Sequence, residues 1–265
     1  MGVLAIQTGR LTANETLWRS GSLSSLLRRK EEITFPATFF VLERSEGLVA
    51  VDSGIDSRAK TPRALQRIVP APSAGPQDEA GPRMASAGLE AAEIGTVLAT
   101  HLDWDHIGGV RHFPNATVHV HREDHKWATG FRAKGRTLPK LWPESFQPRL
   151  FELESAPYGP FARSAGVPGL EGIRIVPLPG HTPGQVGFVV DDGNRRLFFC
   201  GDHMLRVDWF EENFASGRKR ALLEFSGKAG TDTSERVHTL AEESDVVMIP
   251  SHDPDAHRAA GFTVI

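Results

Sequence analysis

The chain has 265 residues, of which 40% are hydrophobic and 24% are charged. This length and composition are typical of a folded globular protein whose core needs no disulfide, and they exclude a fibrous or disordered chain. Thirty Lys and Arg against 33 Asp and Glu give a formal net charge of −3. Because binding to nucleic-acid phosphates normally comes with an excess of basic residues, we expect no nucleic-acid partner.

The sequence shows no pattern that directs a protein into or across a membrane. No segment approaches the roughly 18 consecutive apolar residues of a membrane span. The N-terminal apolar run is too short for the core of a signal peptide, and no basic region precedes it. The single cysteine, Cys200, has no partner for an internal disulfide, so nothing requires an oxidising compartment. We therefore expect a soluble cytoplasmic protein without a membrane partner.

The first strong pattern along the chain predicts a β-hairpin over residues 35–52, with two β-rich runs separated by the turn Ser45-Glu46-Gly47. The second run ends in Asp52-Ser53-Gly54. Residues 70–83 contain four prolines and two glycines without apolar periodicity. That composition predicts a mobile surface loop.

Further strands are predicted along the rest of the chain, and helices are predicted across much of residues 203–244. Strands and helices mix without regular alternation, a pattern that fits two sheets with helices outside but does not select that arrangement. In residues 126–172, aromatic side chains are scattered among prolines and glycines. We interpret this segment as a connecting or capping insertion over one edge of the fold. The predicted strands are residues 97–100, 117–121, 173–178, 185–190, 196–200 and 246–250.

The most informative motif is His101-Leu102-Asp103-Trp104-Asp105-His106, which directly follows a predicted strand. Alternate residues of an extended segment point the same way, so His101 and Asp103 are placed to bind one metal ion. Asp105 and His106 are adjacent and project differently, which suits a second metal nearby. Taken alone, the cluster also fits a polar turn with solvated carboxylates.

Three later motifs also place a metal-ligand type of side chain at a strand end. They are His181 within Gly180–Gly184, Asp202 after Gly201, and His252 within Ser251–Asp253. In this order, with Asp52-Ser53-Gly54 upstream, the motifs resemble those of the metallo-β-lactamase-fold superfamily. The resemblance spans residues 52–253.

The resemblance implies a single α/β domain of the α+β type over residues 1–265. Its fold would be a four-layer αβ/βα sandwich of two mixed β-sheets flanked by helices, with a dinuclear metal site at the edge between the sheets. Asp52 would be structural rather than a ligand. The implied ligands are His101, Asp103 and His181 for the first metal, Asp105, His106 and His252 for the second, and Asp202 as the bridge between them.

Asp103 departs from the family pattern, because most relatives have histidine there. With Asp103, Asp105 and Asp202 as ligands, two divalent ions and a bridging hydroxide give a neutral core, whereas the histidine version carries one positive charge. A carboxylate also shifts preference toward Mn²⁺ or Fe²⁺, as in flavodiiron relatives, without excluding Zn²⁺. We expect two divalent ions, with zinc as the first candidate. Alternatively, Asp103 lies outside the ligand shell and the first metal is weakly held or absent.

The resemblance implies a hydrolase in which a metal-bound hydroxide attacks a polarised carbonyl. Asp105 and Asp202 are the candidate catalytic residues, with Asp105 as a proton relay. Local similarity is greatest to the N-acyl-homoserine lactonase branch, through the motifs around Asp105, His181 and His252 together with Phe113–Ala116. Those lactonases place a tyrosine three residues after the bridging aspartate, where this chain has Leu205.

We therefore expect a lactonase-like or general ester hydrolase of class EC 3.1.1 acting on a small lactone or ester, with no prediction of oligomeric state. Two alternatives are a mononuclear-iron oxygenase similar to persulfide dioxygenases and a binding protein without activity. His119 and His121 are interpreted as ordinary strand histidines, and Cys200 as a buried, inert thiol.

Overall fold

Two β-sheets pack face to face in the computed structural model, which describes residues 1–20, 32–63, 66, 69–133, 135–217 and 227–265. The strands are β1 (Val3–Asn14), β2 (Glu32–Arg44), β3 (Gly47–Val51), β4 (Ala71–Ser73), β5 (Ile94–Leu98), β6 (Thr117–His121), β7 (Arg149–Phe151), β8 (Ala165–Val167), β9 (Leu170–Pro177), β10 (Val186–Asp192), β11 (Arg195–Gly201), β12 (Val246–Pro250) and β13 (Thr263–Val264). The α-helices are α1 (Glu15–Ser20), α2 (Ala80–Ser86), α3 (Arg122–Ala128), α4 (Val207–Ala215), α5 (Gly227–Ala241) and α6 (Pro254–Ala259).

Both sheets are mixed. Among the described residues, the first sheet has eight strands in the order β13-β1-β2-β3-β5-β6-β7, with β4 paired to β1. Strands β3, β5, β6 and β7 run parallel to one another. The second sheet has the order β12-β11-β10-β9-β8, and β11 and β12 are its parallel pair.

Alternation along the strands separates the core into layers, because successive side chains of a strand point to opposite faces. In β2, Phe40 and Leu42 belong to the core between the sheets, whereas Phe39 and Val41 pack on the outer side of the first sheet. In β11, Phe199 lies in the core between the sheets. The outer faces are covered by helices, through Ala80 and Met84 of α2 on the first sheet and Val237 and Leu240 of α5 on the second.

The expected four-layer sandwich of two mixed sheets flanked by helices is confirmed. The hairpin predicted for residues 35–52 is also confirmed, as β2 and β3 pair antiparallel. Among the described residues, none of the helices combines the length and apolar character that a membrane crossing requires.

The mobile loop predicted for residues 70–83 is wrong. Strand β4 pairs with β1 through backbone hydrogen bonds, and α2 buries Ala80 and Met84. Apolar periodicity is absent because β4 and α2, with three and seven residues, are too short to show a period. The long strand β1 was not predicted either. A register shift between Gln7 and Arg10 interrupts its alternation, and such a bulge hides the period of two that identifies a strand.

Residues 126–172 connect the two sheets. Their described part supplies β7 to the first sheet and β8 to the second. It also brings Arg136 to the edge of the sandwich where the histidine motifs lie.

Candidate metal centre

The candidate metal ligands all follow the C-terminal ends of strands. The motif His101–His106 follows β5, His181 lies in the turn after β9, Asp202 follows β11 and His252 follows β12. Asp52 follows β3, which is the parallel neighbour of β5. The C-terminal ends of parallel strands share one edge of a sheet, so the fold gathers these loops at one edge of the sandwich.

Six of the seven predicted ligands form two groups of buried side chains that share Asp202. Oδ1 of Asp202 lies 3.1 Å from Nε2 of His106 and 3.0 Å from Nε2 of His252. Oδ2 of Asp202 lies 3.5 Å from Nε2 of His181. One group consists of Asp105, His106, Asp202 and His252, and the other of His101, His181 and Asp202, with the ligand atoms of each group within 4.8 Å of one another. We call these the second and the first half of the centre.

Hydrogen bonds fix the orientation of three of the histidine rings. Nδ1 of His106 donates to Oδ2 of Asp52 at 2.8 Å, and Nδ1 of His252 donates to the carbonyl oxygen of Pro36 at 2.7 Å. The Thr100 hydroxyl donates to the Asp52 carboxylate, so its oxygen accepts from Nδ1 of His101 at 3.0 Å. With the proton on Nδ1, each ring presents the lone pair of Nε2 to the centre, as a metal ligand must.

Asp52, whose carboxylate contacts His106 of the motif, has an unusual backbone conformation. Its φ is +61°, the only positive φ of a non-glycine residue among those the structure describes. Its backbone N–H donates to the carbonyl oxygen of Leu98 at 3.0 Å. The loop packs closely on the motif, because a Cβ atom at Gly109 would lie 2.0 Å from the carbonyl oxygen of Ser53. Glycine is therefore required just after the histidine motif.

Several buried ligand atoms lack a hydrogen-bond partner in the described part of the chain. They include Nε2 of His106 and of His252 and Oδ1 of Asp202. An unsatisfied buried polar atom costs about 1–3 kcal/mol. The separations between the carboxylates and the histidines of the second half run from 3.0 Å to 3.8 Å, close to the ~3.4 Å edges of a tetrahedron with metal–ligand bonds of ~2.1 Å. These residues therefore fit a divalent metal ion.

The electrostatics of the centre favour a cation. Burial lowers the pKa of His106, but Asp202 and other carboxylates around it raise that pKa well above its ordinary value. The pKa of His252 is raised by Asp202 in the same way, against the effect of burial. Burial raises the pKa of Asp202, but His252 and His106 lower it well below its ordinary value. Burial raises the pKa of Asp105.

Asp103, the seventh predicted ligand, belongs to neither group. Its Oδ2 accepts hydrogen bonds from Arg136, at 2.6 Å from Nη2 and 3.1 Å from Nε. Nε2 of His181 lies 3.1 Å from the same oxygen. Burial raises the pKa of Asp103, but Arg136 lowers it below its ordinary value.

Arg136 was missed by sequence reasoning. It lies in the weakly patterned segment 126–172 and belongs to no motif. The one available signal was indirect, since a carboxylate at position 103 adds a buried negative charge that calls for a cation nearby. The sequence does not say which arginine supplies it.

The other residues considered from the sequence lie outside both groups. His119 sits within β6, paired with Leu98 and Arg149. Cys200 is fully buried, and burial raises the pKa of its thiol. The single tyrosine of the sequence, Tyr158, also lies outside these groups, and its hydroxyl accepts a hydrogen bond from Arg196.

Leu205 is buried beside Trp104 and Trp209. It lines two cavities of about 260 Å³ and 140 Å³ in the described part of the chain. His252 also lines the smaller of these cavities. A recess with apolar walls on one part and the charged side chains of Arg206, Asp255 and Arg258 on another therefore lies next to the centre.

Comparison with known proteins gives consistent matches. The family model described as the metallo-beta-lactamase superfamily matches residues 34–252. A probable metallo-hydrolase of Mycobacterium tuberculosis is 29% identical over 238 residues, covering 84% of this chain and 76% of that protein. The N-acyl homoserine lactonase AttM of Agrobacterium fabrum is 26% identical over 181 residues, covering 64% of this chain and 62% of that protein.

A solved structure has the same fold. It is that of a point mutant of AiiA from Bacillus thuringiensis with N-decanoyl-L-homoserine bound at the active site. The two chains are 18% identical and superpose with a TM-score of 0.78, covering 98% of this chain and 97% of that one.

Proposed function

The chain belongs to the metallo-β-lactamase superfamily, and from that premise we propose that it is a metal-dependent hydrolase that opens a small lactone or cleaves a small carboxylic ester, in class EC 3.1.1. The observation that carries this proposal is the buried cluster of His106, His252 and Asp202, whose ligand atoms converge without hydrogen-bond partners in the described part of the chain. Similarity to a metallo-hydrolase and to lactonases supports the choice of reaction.

Asp105, His106, Asp202 and His252 would hold one divalent ion, and the first half of the centre is the place of the second ion that the family pattern implies. Zinc is the first candidate, with manganese and iron as alternatives because two of the four ligands, Asp105 and Asp202, are carboxylates. A divalent ion bound there supplies a Lewis acid and lowers the pKa of a coordinated water.

Asp105 is the proposed proton carrier. Its Oδ2 lies 3.8 Å from Nε2 of His106 and 3.7 Å from Nε2 of His252, at the centre but outside hydrogen-bonding distance. Burial raises the pKa of this carboxyl group in the metal-free protein, and its place at the centre puts it within reach of a water bound there. The carboxylate takes a proton from the attacking water and delivers it to the leaving alkoxide oxygen.

The apolar part of the recess next to the centre supports a substrate with an apolar acyl group. Leu205, Trp209 and Phe210 line the larger cavity, and Leu205 and Trp209 also line the smaller one beside His252. A hydrocarbon chain buried there gains about 0.8 kcal/mol for each methylene removed from water. We therefore expect KM to fall as the acyl chain lengthens.

The test is pH-stat hydrolysis of a panel of γ-lactones and matched linear esters by protein reconstituted with Zn²⁺, Mn²⁺ or Fe²⁺. Asp202→Asn should abolish turnover, because Asp202 belongs to both halves of the centre. Asp191→Asn, at an exposed position near the end of β10, is the matched control and should retain it. Absence of turnover with all three metals would contradict the proposal, and oxygen uptake with glutathione persulfide would then assign the iron-dependent oxygenase chemistry.

A further inference from the structure

We propose that Arg136, paired with Asp103, takes the place of a metal ion in the first half of the centre, so that the protein holds one divalent ion tightly, in the second half. This inference rests on the proposed metal-dependent function and specifies its centre. It replaces the two-metal expectation drawn from the family pattern.

The guanidinium of Arg136 is held among the residues of the first half. Its Nη2 lies 2.6 Å from Oδ2 of Asp103 and 2.7 Å from Nε2 of His181. Its Nη1 donates to the carbonyl oxygen of His181 at 2.9 Å. The guanidinium also lies over the ring of Trp127, 5.0 Å from its centroid. Contacts on several sides fix one position for this cation.

Arg136 and a metal ion would compete for the same lone pair. The neutral imidazole of His181 has one lone pair at Nε2, and a guanidinium can only donate to it. If Nε2 is instead protonated, it donates to Asp103 at 3.1 Å, and then it offers no lone pair at all. In both protonation states, a metal bound to His181 through Nε2 requires these contacts to break.

The ligand count differs between the two halves. In the second half, His106, His252 and Asp202 present buried ligand atoms without hydrogen-bond partners in the described chain, and Asp105 completes a set of four. In the first half, the contacts of Arg136 occupy His181. His101, whose Nε2 also lacks a hydrogen-bond partner in the described chain, and the shared Asp202 are then the remaining members of that group, since Asp103 lies outside it. Catalytic zinc sites commonly use three protein ligands, and two would hold an ion weakly.

Charge balance favours the same occupancy. Asp103 and Arg136 form a neutral pair. Asp105 and Asp202 carry two negative charges, which one divalent ion neutralises. A second divalent ion would add two positive charges beside the partly buried guanidinium. The other buried carboxylates nearby, Asp52 and Asp124, already accept hydrogen bonds from His106 and from the backbone of Leu102.

The experiment measures metal stoichiometry and needs no substrate. Protein is dialysed to equilibrium against graded free Zn²⁺ and its metal content is measured by mass spectrometry. The wild-type chain should bind one equivalent, with any second equivalent at least 100-fold weaker. In the double variant Asp103→His, Arg136→Gln, the second equivalent should bind at least tenfold more tightly than in the wild type. Arg132→Gln, at an exposed arginine of the same segment, is the matched control and should behave as the wild type.

A second measurement uses only the wild-type chain, so the inference stays testable if the double variant does not fold. Co²⁺-loaded protein should give the electron paramagnetic resonance signal of an isolated ion, without the magnetic coupling of a dinuclear pair. Two equivalents of similar affinity, or a coupled pair, would overturn the inference. Lactone turnover by a protein with two bound metals would contradict this inference and support the proposed function. One bound metal without lactone turnover would support this inference and contradict the proposed function.

Discussion

Asp52→Asn tests whether the hydrogen bond between the Asp52 carboxylate and His106 determines the metal affinity of the centre. The aspartate accepts hydrogen bonds from the backbone N–H of Thr100 at 2.7 Å and from Nδ1 of His106 at 2.8 Å. Asparagine has the same shape but offers one acceptor oxygen and one donor group. The N–H of Thr100 is a fixed donor, so the amide oxygen must turn toward it. The NH₂ group then faces Nδ1 of His106.

The substitution leaves two possible arrangements of the His106 ring. Its ring can move the proton from Nδ1 to Nε2, which removes the lone pair that a metal needs. Otherwise the metal-binding tautomer is kept and two N–H groups face each other. That second arrangement forfeits a hydrogen bond to a charged group, worth about 1.5–3 kcal/mol. A tenfold change in affinity corresponds to about 1.4 kcal/mol, so we expect metal affinity to fall by about 10–100-fold, the usual range for partners of metal ligands.

The assay is competition for Zn²⁺ with a chromogenic chelator at fixed pH, combined with ¹⁵N NMR of the histidine rings. Asp56→Asn is the control, because Asp56 is equally buried but pairs with Arg58 and Arg111 rather than with a ligand histidine. The control should lower stability without lowering metal affinity. Metal affinity within threefold of the wild type in Asp52→Asn, with Nε2 of His106 still unprotonated, would refute this account.

Three further predictions concern single side chains. Asp105→Asn should lower kcat by at least 100-fold in protein adjusted to equal metal content, and unchanged kcat would remove Asp105 as the proton carrier. Burial lowers the pKa of His257 to about 4 from an ordinary value of 6.5, so the unfolded chain binds more protons between these values. The stability that the neutral ring provides is complete above pH 6.5 and falls by up to about 3 kcal/mol toward pH 4; His257→Gln should flatten this dependence in urea unfolding of metal-free protein. Cys200 should react with a disulfide reagent only after denaturation, and a fast reaction of the folded chain would contradict its burial.

The features that were predicted from the sequence are those that depend on short segments of the chain. The motif from His101 to His106, the turn around His181 and the residue Asp202 are local signals, each directly after a β-rich run. Strand ends that share an edge bring such residues together, and the structure does bring His101, Asp105, His106, His181, Asp202 and His252 into two groups. The sequence alone therefore identified these residues as candidate metal ligands.

The sequence did not predict features that depend on contacts between distant segments. Arg136 reaches Asp103 across 33 positions of the chain, from a segment without periodicity, so no local pattern marks it. Strand β1 has a register shift that breaks its alternation. The elements within residues 70–83 are too short to show a period. In each case tertiary packing, rather than local preference, determines the structure.

The pair of Asp103 and Arg136 also bears on why a carboxylate is tolerated where most relatives have histidine. A lone Asp103 would place an extra negative charge in a buried site, whereas the pair has no net charge, as a neutral histidine has none. The long-range field on the second half is therefore similar in the two cases. The two cases differ in the number of lone pairs available to a metal. A histidine at position 103 would add a metal ligand, whereas Arg136 occupies the lone pair at Nε2 of His181. Asp103→His alone should thus leave His181 engaged by Arg136, and recovery of the first half should require the loss of Arg136 as well.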